Sequence, residues 1–339
     1  MPLNLDFGHK PVIALTMGDP AGVGPEIILK ALNVKTVQDV CVPVVIGDMD
    51  VLEDAKGPLP RGTQPRLTSV TTPATSAGDA FEVIDLKKVK PGEITVGQAS
   101  ASAGHASVAY IKKAVALALD GKVAAITTAP INKETLKMAG YPWPGHTELL
   151  GELTGASDYG MMLTGGGLRV VLTTIHCALK DVPGLITREK VLSSIRLAEK
   201  ACRQMGIDIP RIAVAGLNPH AGESGLFGDE ESRHILPACE DARMSGLDVT
   251  GPLPADSLFF KAKRGDFDIV VAMYHDQGLV PLKMLAFGHA VNVTLGLPII
   301  RTSVDHGTAY DIAGKGIANP DSLIEAIKLA AQMAVRKRH

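Results

Sequence analysis

Short apolar, β-branched runs alternate along the chain with longer stretches of helical periodicity. The runs predict strands at Val12–Thr16, Val42–Ile46, Ala124–Thr128, Arg169–Thr174, Ile212–Leu217, Ile269–Tyr274 and Ala290–Thr294. Between them the spacing predicts helices at Pro25–Leu32, Ser107–Leu119, Arg188–Met205 and Asp321–Val335. Pro25 and Glu26 suit a helix start, because a missing N–H and a negative charge both match the exposed donors there. The last helix carries apolar Leu323, Ile324, Ile327, Leu329, Ala330 and Met333 and runs into Arg336-Lys337-Arg338. Such alternation is the βαβ pattern of a largely parallel sheet covered by helices. Gly57–Ser102 is richer in Pro, Gly, Ser and Thr and reads as a loop-rich excursion with a small hairpin.

At 339 residues the chain is long enough for two domains. Hydrophobic residues at 46% and charged residues at 21% exclude a disordered chain. The 34 Lys and Arg against 36 Asp and Glu leave −2, so no global field draws nucleic acid or a membrane surface. Aromatics at 4% are too few for a base-stacking surface. Cys41, Cys177, Cys202 and Cys239 form no C-x-x-C pair, which fits a reducing, cytoplasmic setting. No run approaches the ~18 apolar residues of a membrane span. The first apolar run leads directly into Gly18-Asp19-Pro20 and reads as a strand, not a signal peptide.

The ten histidines stand out in this composition. His176, His220 and His275 each follow a predicted strand, and in an open parallel sheet ligands bind beyond the carboxyl ends of strands. Three imidazoles brought to that edge suit Zn, Co, Ni or Fe and leave a coordination position open. Each taken singly reads as a hydrogen-bonded loop residue. His146 and Thr147, at the start of a predicted helix, form an anion site with the free N–H groups, or a plain Thr cap. Lys283, Asn292 and Arg301 flank apolar runs and suit a phosphate or carboxylate, Arg301 by its bidentate fork. Asp256 and Asp276 are candidates to orient an imidazole, bind the metal or take a proton; helix capping and turn formation are the competing roles.

Gly18–Glu26 is a glycine-rich strand-to-helix turn but not G-x-G-x-x-G, and no Walker A motif occurs. Asp305–Pro320 is a long glycine-punctuated loop, of a length that is usually functional inside a compact domain. Its small residues allow a flat ligand close to the backbone, and Asp311 suits ribose hydroxyls.

Together MGDPAGVGPEI, TTAPINKE, GHTELL, GLNPHAGE, PLPADSLF, MYHDQGLVPLK and VNVTLGLPIIRTSVDHGTA resemble the 4-hydroxythreonine-4-phosphate dehydrogenase family of vitamin B6 (pyridoxine) biosynthesis. HGTAYDIAGKGIANP is also similar to the NAD loop of isopropylmalate and isocitrate dehydrogenases. The resemblance implies a two-domain α/β/α sandwich, isopropylmalate dehydrogenase-like, with the active site in the interdomain cleft of a homodimer. Residues 1–130 with 290–339 would form a terminal domain carrying much of the NAD site, and 131–289 a central domain with the metal ligands and dimer interface. It implies His176, His220 and His275 as ligands of one divalent ion (Zn2+, Mg2+ or Co2+), one of them crossing the interface. His146, Thr147, Lys283, Asn292 and Arg301 would bind the phosphorylated substrate; Gly307, Thr308, Asp311 and Asn319 would bind NAD, or NADP. Asp256, Asp276 and Lys283 are the catalytic candidates.

The expected reaction is oxidation of the C3 hydroxyl of 4-phosphooxy-L-threonine, with the metal polarising that hydroxyl, then decarboxylation to 3-amino-2-oxopropyl phosphate. GESGLFGDEE (222–231) and AKRGDFD (262–268) are closer to a paralogous branch acting on 4-phospho-D-threonate or 4-phospho-D-erythronate, giving dihydroxyacetone phosphate. A three-His hydrolase or aldolase would leave the Asp305–Pro320 loop unexplained, and a non-catalytic phosphate sensor would not need three histidines. His9, His105, His234, His289, His306 and His339 receive no role.

Overall fold

A computed structural model of the chain describes residues 10–74, 78–90 and 92–337. His9, Arg338 and His339 lie outside the described residues, as do short pieces of the 57–102 excursion. The chain divides into two compact units, Met1–Ala156 with Leu297–His339, and Ser157–Gly296. The divide falls at 156/157 and 296/297, which places residues 131–156 with the terminal segments.

The first unit contains β1 (Val12–Thr16), α1 (Gly24–Leu32), α2 (Lys35–Val40), β2 (Val42–Gly47), α3 (Met49–Ala55), β3 (Leu67–Ser69), β4 (Phe81–Asp85), α4 (Ala101–Leu119), β5 (Ala125–Thr128), α5 (Lys133–Met138) and α6 (His146–Thr154). The second contains β6 (Gly160–Gly165), β7 (Leu168–Leu172), α7 (Val182–Leu185), α8 (Arg188–Gln204), β8 (Ile212–Ala215), α9 (Leu236–Met244), β9 (Val249–Leu253), α10 (Ala255–Lys263), β10 (Ile269–Ala272), α11 (His275–Ala286) and β11 (Val291–Leu295). The chain then returns to the first unit with β12 (Arg301–Val304) and α12 (Asp321–Lys337).

In the first unit the strand order is β3-β4-β2-β1-β5-β12, and every pair is parallel. β1 and β2 are buried along their whole length, which is why they read as continuous apolar runs rather than alternating ones. α1, α2, α3 and α12 form one helix group and α4, α5 and α6 another. Among the described residues the 57–102 excursion forms no hairpin: β3 and β4 pair in parallel and extend the sheet beyond β2. α4 starts six residues before the expected Ser107, because Ser100 caps it by accepting from Ala103 N–H at 3.1 Å. The small residues of that first turn hide the helical period.

In the second unit the order is β11-β6-β7-β10-β8-β9. β6 runs antiparallel to both neighbours and the rest are parallel. The β6–β7 hairpin turns on Gly166-Gly167, both left-handed at φ +57° and +85°, as a two-residue hairpin demands. Val170, Leu172, Val270 and Ala272 pack against Leu258, Phe259, Leu279 and Leu282 of α10 and α11. Gly278 lets α11 lie that close, since a Cβ there would stand 2.7 Å from Val170 Cγ1 and 2.8 Å from Leu172 Cδ2. Among the described residues no helix is long and apolar enough to cross a membrane.

Candidate active site

In the first unit Arg301 opens β12 beside β5 and is only 2% exposed. Its Nη2 donates to Thr128 Oγ1 at 2.7 Å, and burial pushes the guanidinium down to about 9. The next pair along the two strands, Thr302 and Thr127, joins hydroxyl to hydroxyl at 2.9 Å and fixes the register that aims Arg301. His146 and Thr147 occupy the first turn of α6, after Gly145. His146 is half-buried, but its Nε2 is sealed from solvent and has no hydrogen-bond partner among the described residues. Burial first, and the Arg301 charge second, hold its pKa well below 6.5. It is therefore a neutral imidazole with an unused buried nitrogen next to a buried cation. Helix N–H groups, a guanidinium and that nitrogen together suit an anion.

The Asp305–Pro320 loop is tied to the glycine turn of the same unit. Val23 N–H donates to Thr308 O at 3.0 Å, and a Cβ on Gly22 would stand 2.9 Å from Thr308 Cβ. Glu26, buried in α1, accepts from Gly316 N–H at 3.0 Å and Ala318 N–H at 2.7 Å, and pairs with Lys30 at 2.8 Å. Asp19 accepts from Ala21 N–H, Thr135 and Tyr310, the last at 2.7 Å; burial raises its pKa. A cavity of about 460 Å³ lies along Gly22, Pro25, Ala313 and Gly314. Gly307, Asp311 and Asn319 are exposed and Thr308 is buried; Asn319 Oδ1 caps α12 by accepting from Asp321 N–H. Asp19, Glu26 and Tyr310 were not singled out as site residues. Their only signal was polarity inside glycine-rich segments, which does not distinguish a loop tether from a solvated charge.

In the second unit the ring centroids of His176 and His275 are 5.7 Å apart. His275 is the first residue of α11, which the sequence reading did not predict because Gly278 and Pro281 look like loop residues. Its Nδ1 faces Asp276 Oδ1 at 2.7 Å; a carboxylate only accepts, so Nδ1 is the donor and Nε2 is the nitrogen left to face a ligand. His176, Cys177, Tyr274, His275 and Asp276 line an open cavity of about 420 Å³. His220 does not join this pair: among the described residues no three His, Cys, Asp or Glu side chains converge as a metal site. The β7-β10-β8 order nevertheless brings all three histidines to the carboxyl edge of neighbouring strands.

His220 lies in a turn of left-handed backbone, with φ between +44° and +82° from His220 to Ser224. Four of those five residues are not glycine, and each such residue costs about 1–2 kcal/mol. Backbone strain of this kind persists only where surrounding contacts over-determine it.

Asn292 lies in β11 with its Oδ1 buried and unbonded among the described residues, and Lys283 is half-buried in α11. Asp256 is exposed in the first turn of α10, whose N-cap is Pro254. The structure thus joins Arg301 with His146, and His176 with His275 and Asp276; Asp256 and His220 stand outside those groups.

Residues 39–330 match the family model described as "Pyridoxal phosphate biosynthetic protein PdxA". A 4-hydroxythreonine-4-phosphate dehydrogenase from Desulfosudis oleivorans is 51% identical, over 96% of either chain. A D-threonate 4-phosphate dehydrogenase from Cupriavidus necator is 50% identical, over 97% of this chain and 99% of its own. The crystal structure of 4-hydroxythreonine-4-phosphate dehydrogenase from Klebsiella pneumoniae is 45% identical and superposes with a TM-score of 0.88, covering 96% of this chain and all of that one. A match spanning most of the sequence, with the fold shared over nearly its whole length, makes this chain a member of the PdxA family.

Proposed function

We propose that the chain is an NAD-dependent dehydrogenase that oxidises the C3 hydroxyl of a 4-phosphorylated four-carbon acid, with loss of CO2. The primary substrate in this reading is 4-phosphooxy-L-threonine, giving 3-amino-2-oxopropyl phosphate. The second reading is the same chemistry on 4-phospho-D-threonate or 4-phospho-D-erythronate; a relative named for D-threonate 4-phosphate is 50% identical, against 51% for one of the first name.

The observation that carries the reading is the buried Arg301 beside neutral His146 at the start of α6. Burying a guanidinium is costly, and a phosphate or carboxylate repays that cost through charge-assisted hydrogen bonds. Arg301, His146 and Thr147 would grip the non-reacting end of the substrate and orient the carbon that reacts. Asn292 and Lys283 are assigned to the same substrate.

His176, His220 and His275 would hold a divalent ion, with one imidazole supplied by a second subunit. The donor chemistry fits: two imidazoles lie close together, and Asp276 holds Nδ1 of His275, which leaves Nε2 as the nitrogen that would face the ion. When bound, the ion supplies a Lewis acid for the hydroxyl being oxidised. Lys283, two turns beyond His275 on α11, or Asp256 takes the hydroxyl proton. NAD is assigned to Gly307, Thr308, Asp311 and Asn319; a carboxylate at Asp311 favours a ribose hydroxyl over the extra phosphate of NADP. The second subunit is assigned to the end of α11, where Val280 and Met284 with the C-cap Phe287 form an apolar patch, the latter two 82% and 84% exposed. A cytoplasmic setting follows from the cofactor and from unpaired cysteines.

The test is NADH formation, followed by absorbance, with each of the three phosphorylated acids. One substrate preferred by at least tenfold in kcat/KM identifies the branch. No NADH from any of them returns the protein to the hydrolase or aldolase reading.

A further inference from the structure

Glu231 is a buried carboxylate in a wide helical turn, Glu231–Ile235, that leads into α9. It faces inward. Oε1 accepts from Asn218 N–H at 2.7 Å, and Oε2 accepts from the Asn218 side-chain amide at 3.0 Å. The same Asn218 amide also donates to Glu230 Oε2 at 2.7 Å. Asn218 is the last residue before the turn that carries His220, and Ala221 N–H returns to Asn218 O at 3.1 Å. The inner wall of the turn is built around the same carboxylate. A Cβ on Gly222 would stand 2.8 Å from Glu231 Oε2, and one on Gly216 would stand 3.1 Å from Oε1 and 2.8 Å from Ala221 Cα.

We infer that Glu231 is a positioning residue: by gripping both donors of Asn218 it holds the left-handed His220–Ser224 turn and so fixes where the His220 imidazole is presented. Three independent facts agree. The turn is strained and needs an external restraint. The restraint is a buried carboxylate with both of its oxygens turned to the residue that opens the turn. Two glycines occur where a side chain would collide with that carboxylate or with the turn. A carboxylate is the one side chain that accepts twice from a backbone N–H and its own side-chain amide without presenting a competing donor. Glutamine in its place keeps the shape but turns an NH2 toward the Asn218 NH2.

This inference rests on the reading of His220 as a metal ligand, so its test separates the two claims. Metal-free E231A, E231Q and H220A proteins are compared by hydrogen exchange and then titrated with Zn2+ alone. In E231A, exchange of the amides of 218–225 rises at least tenfold, while β8 and α8 keep their protection. Zn2+ affinity falls about 10–100-fold, the range for residues that orient a ligand. E231Q lies between E231A and the parent in both readouts, and it carries the test if E231A does not fold. Unchanged exchange at 218–225 overturns the clamp. Faster exchange with full Zn2+ affinity, in a background where H220A loses the metal, overturns the positioning role. Full Zn2+ affinity in H220A defeats the ligand reading instead, leaving the clamp to be judged on exchange alone.

Discussion

Asp276 accepts from Nδ1–H of its neighbour His275 at 2.7 Å, and the same imidazole lies 5.7 Å, centroid to centroid, from that of His176. The carboxylate therefore sets the tautomer of a ring whose other nitrogen is the expected metal donor. D276N keeps the size of the side chain but weakens the acceptor, and it is expected to lower Zn2+ affinity about 10–100-fold while the fold persists. Calorimetric titration of the metal-free protein checks this. Undiminished affinity would remove Asp276 from the metal site.

Arg301 is expected to separate binding from stability. R301M removes a buried cation and keeps its volume, so the melting temperature should hold or rise. Loss of the charge should cost about 2–5 kcal/mol in kcat/KM for the phosphorylated substrate. R301K should recover only part of this, because an ammonium cannot form the bidentate fork. Steady-state kinetics beside thermal unfolding decides it; R301M with parental kcat/KM would show that this guanidinium does not touch the substrate.

His146 gives the protein an acid sensitivity with a definite sign. Folded, it stays neutral well below its ordinary 6.5, because burial and Arg301 oppose its charge. Unfolded, it takes up a proton near 6.5, so the unfolded state binds more protons below that pH and stability falls as pH falls. In H146Q the loss of stability between pH 6.5 and 5 should be shallower by up to about 1.4 kcal/mol per pH unit. Urea midpoints across that range measure it, and a slope identical to the parent's would contradict the neutral assignment.

Tyr310 ties the Asp305–Pro320 loop to Asp19 through a 2.7 Å hydrogen bond to a buried carboxylate. Y310F leaves that oxygen short of one donor, and the expected loss is about 1–3 kcal/mol of stability. If the loop holds the dinucleotide, KM for NAD rises as well, with the substrate KM little changed. Thermal unfolding tests the first part, and kinetics at varied NAD the second.

What the sequence determined by itself was local and periodic. β1, β2, β5, β8 and β10 were legible because strands buried on both faces must be continuous apolar runs, and α8 and α12 because a half-buried helix must repeat every 3.6 residues. The histidines at strand ends were legible for the same reason, since position in a parallel sheet follows from the run that precedes it. Tertiary structure decided the rest. α11 exists although it contains Gly278 and Pro281, because Gly278 is what lets its backbone approach Val170 and Leu172 across the sheet. β6 is antiparallel because Gly166-Gly167 supplies the left-handed turn, and that pairing spans residues whose pattern does not state direction. Arg301 is legible in the chain as an anion-binding candidate beside an apolar run, and its burial is decided only when β12 joins β5. Nothing in their own segments marks Glu26, Asp19 and Glu231 as buried tethers. Their roles come from backbone N–H groups and hydroxyls that folding alone brings to them, in two of the three cases from nearly 300 residues away. Periodicity records what a residue's own segment needs, and it carries no record of the distant donors that a buried carboxylate will meet.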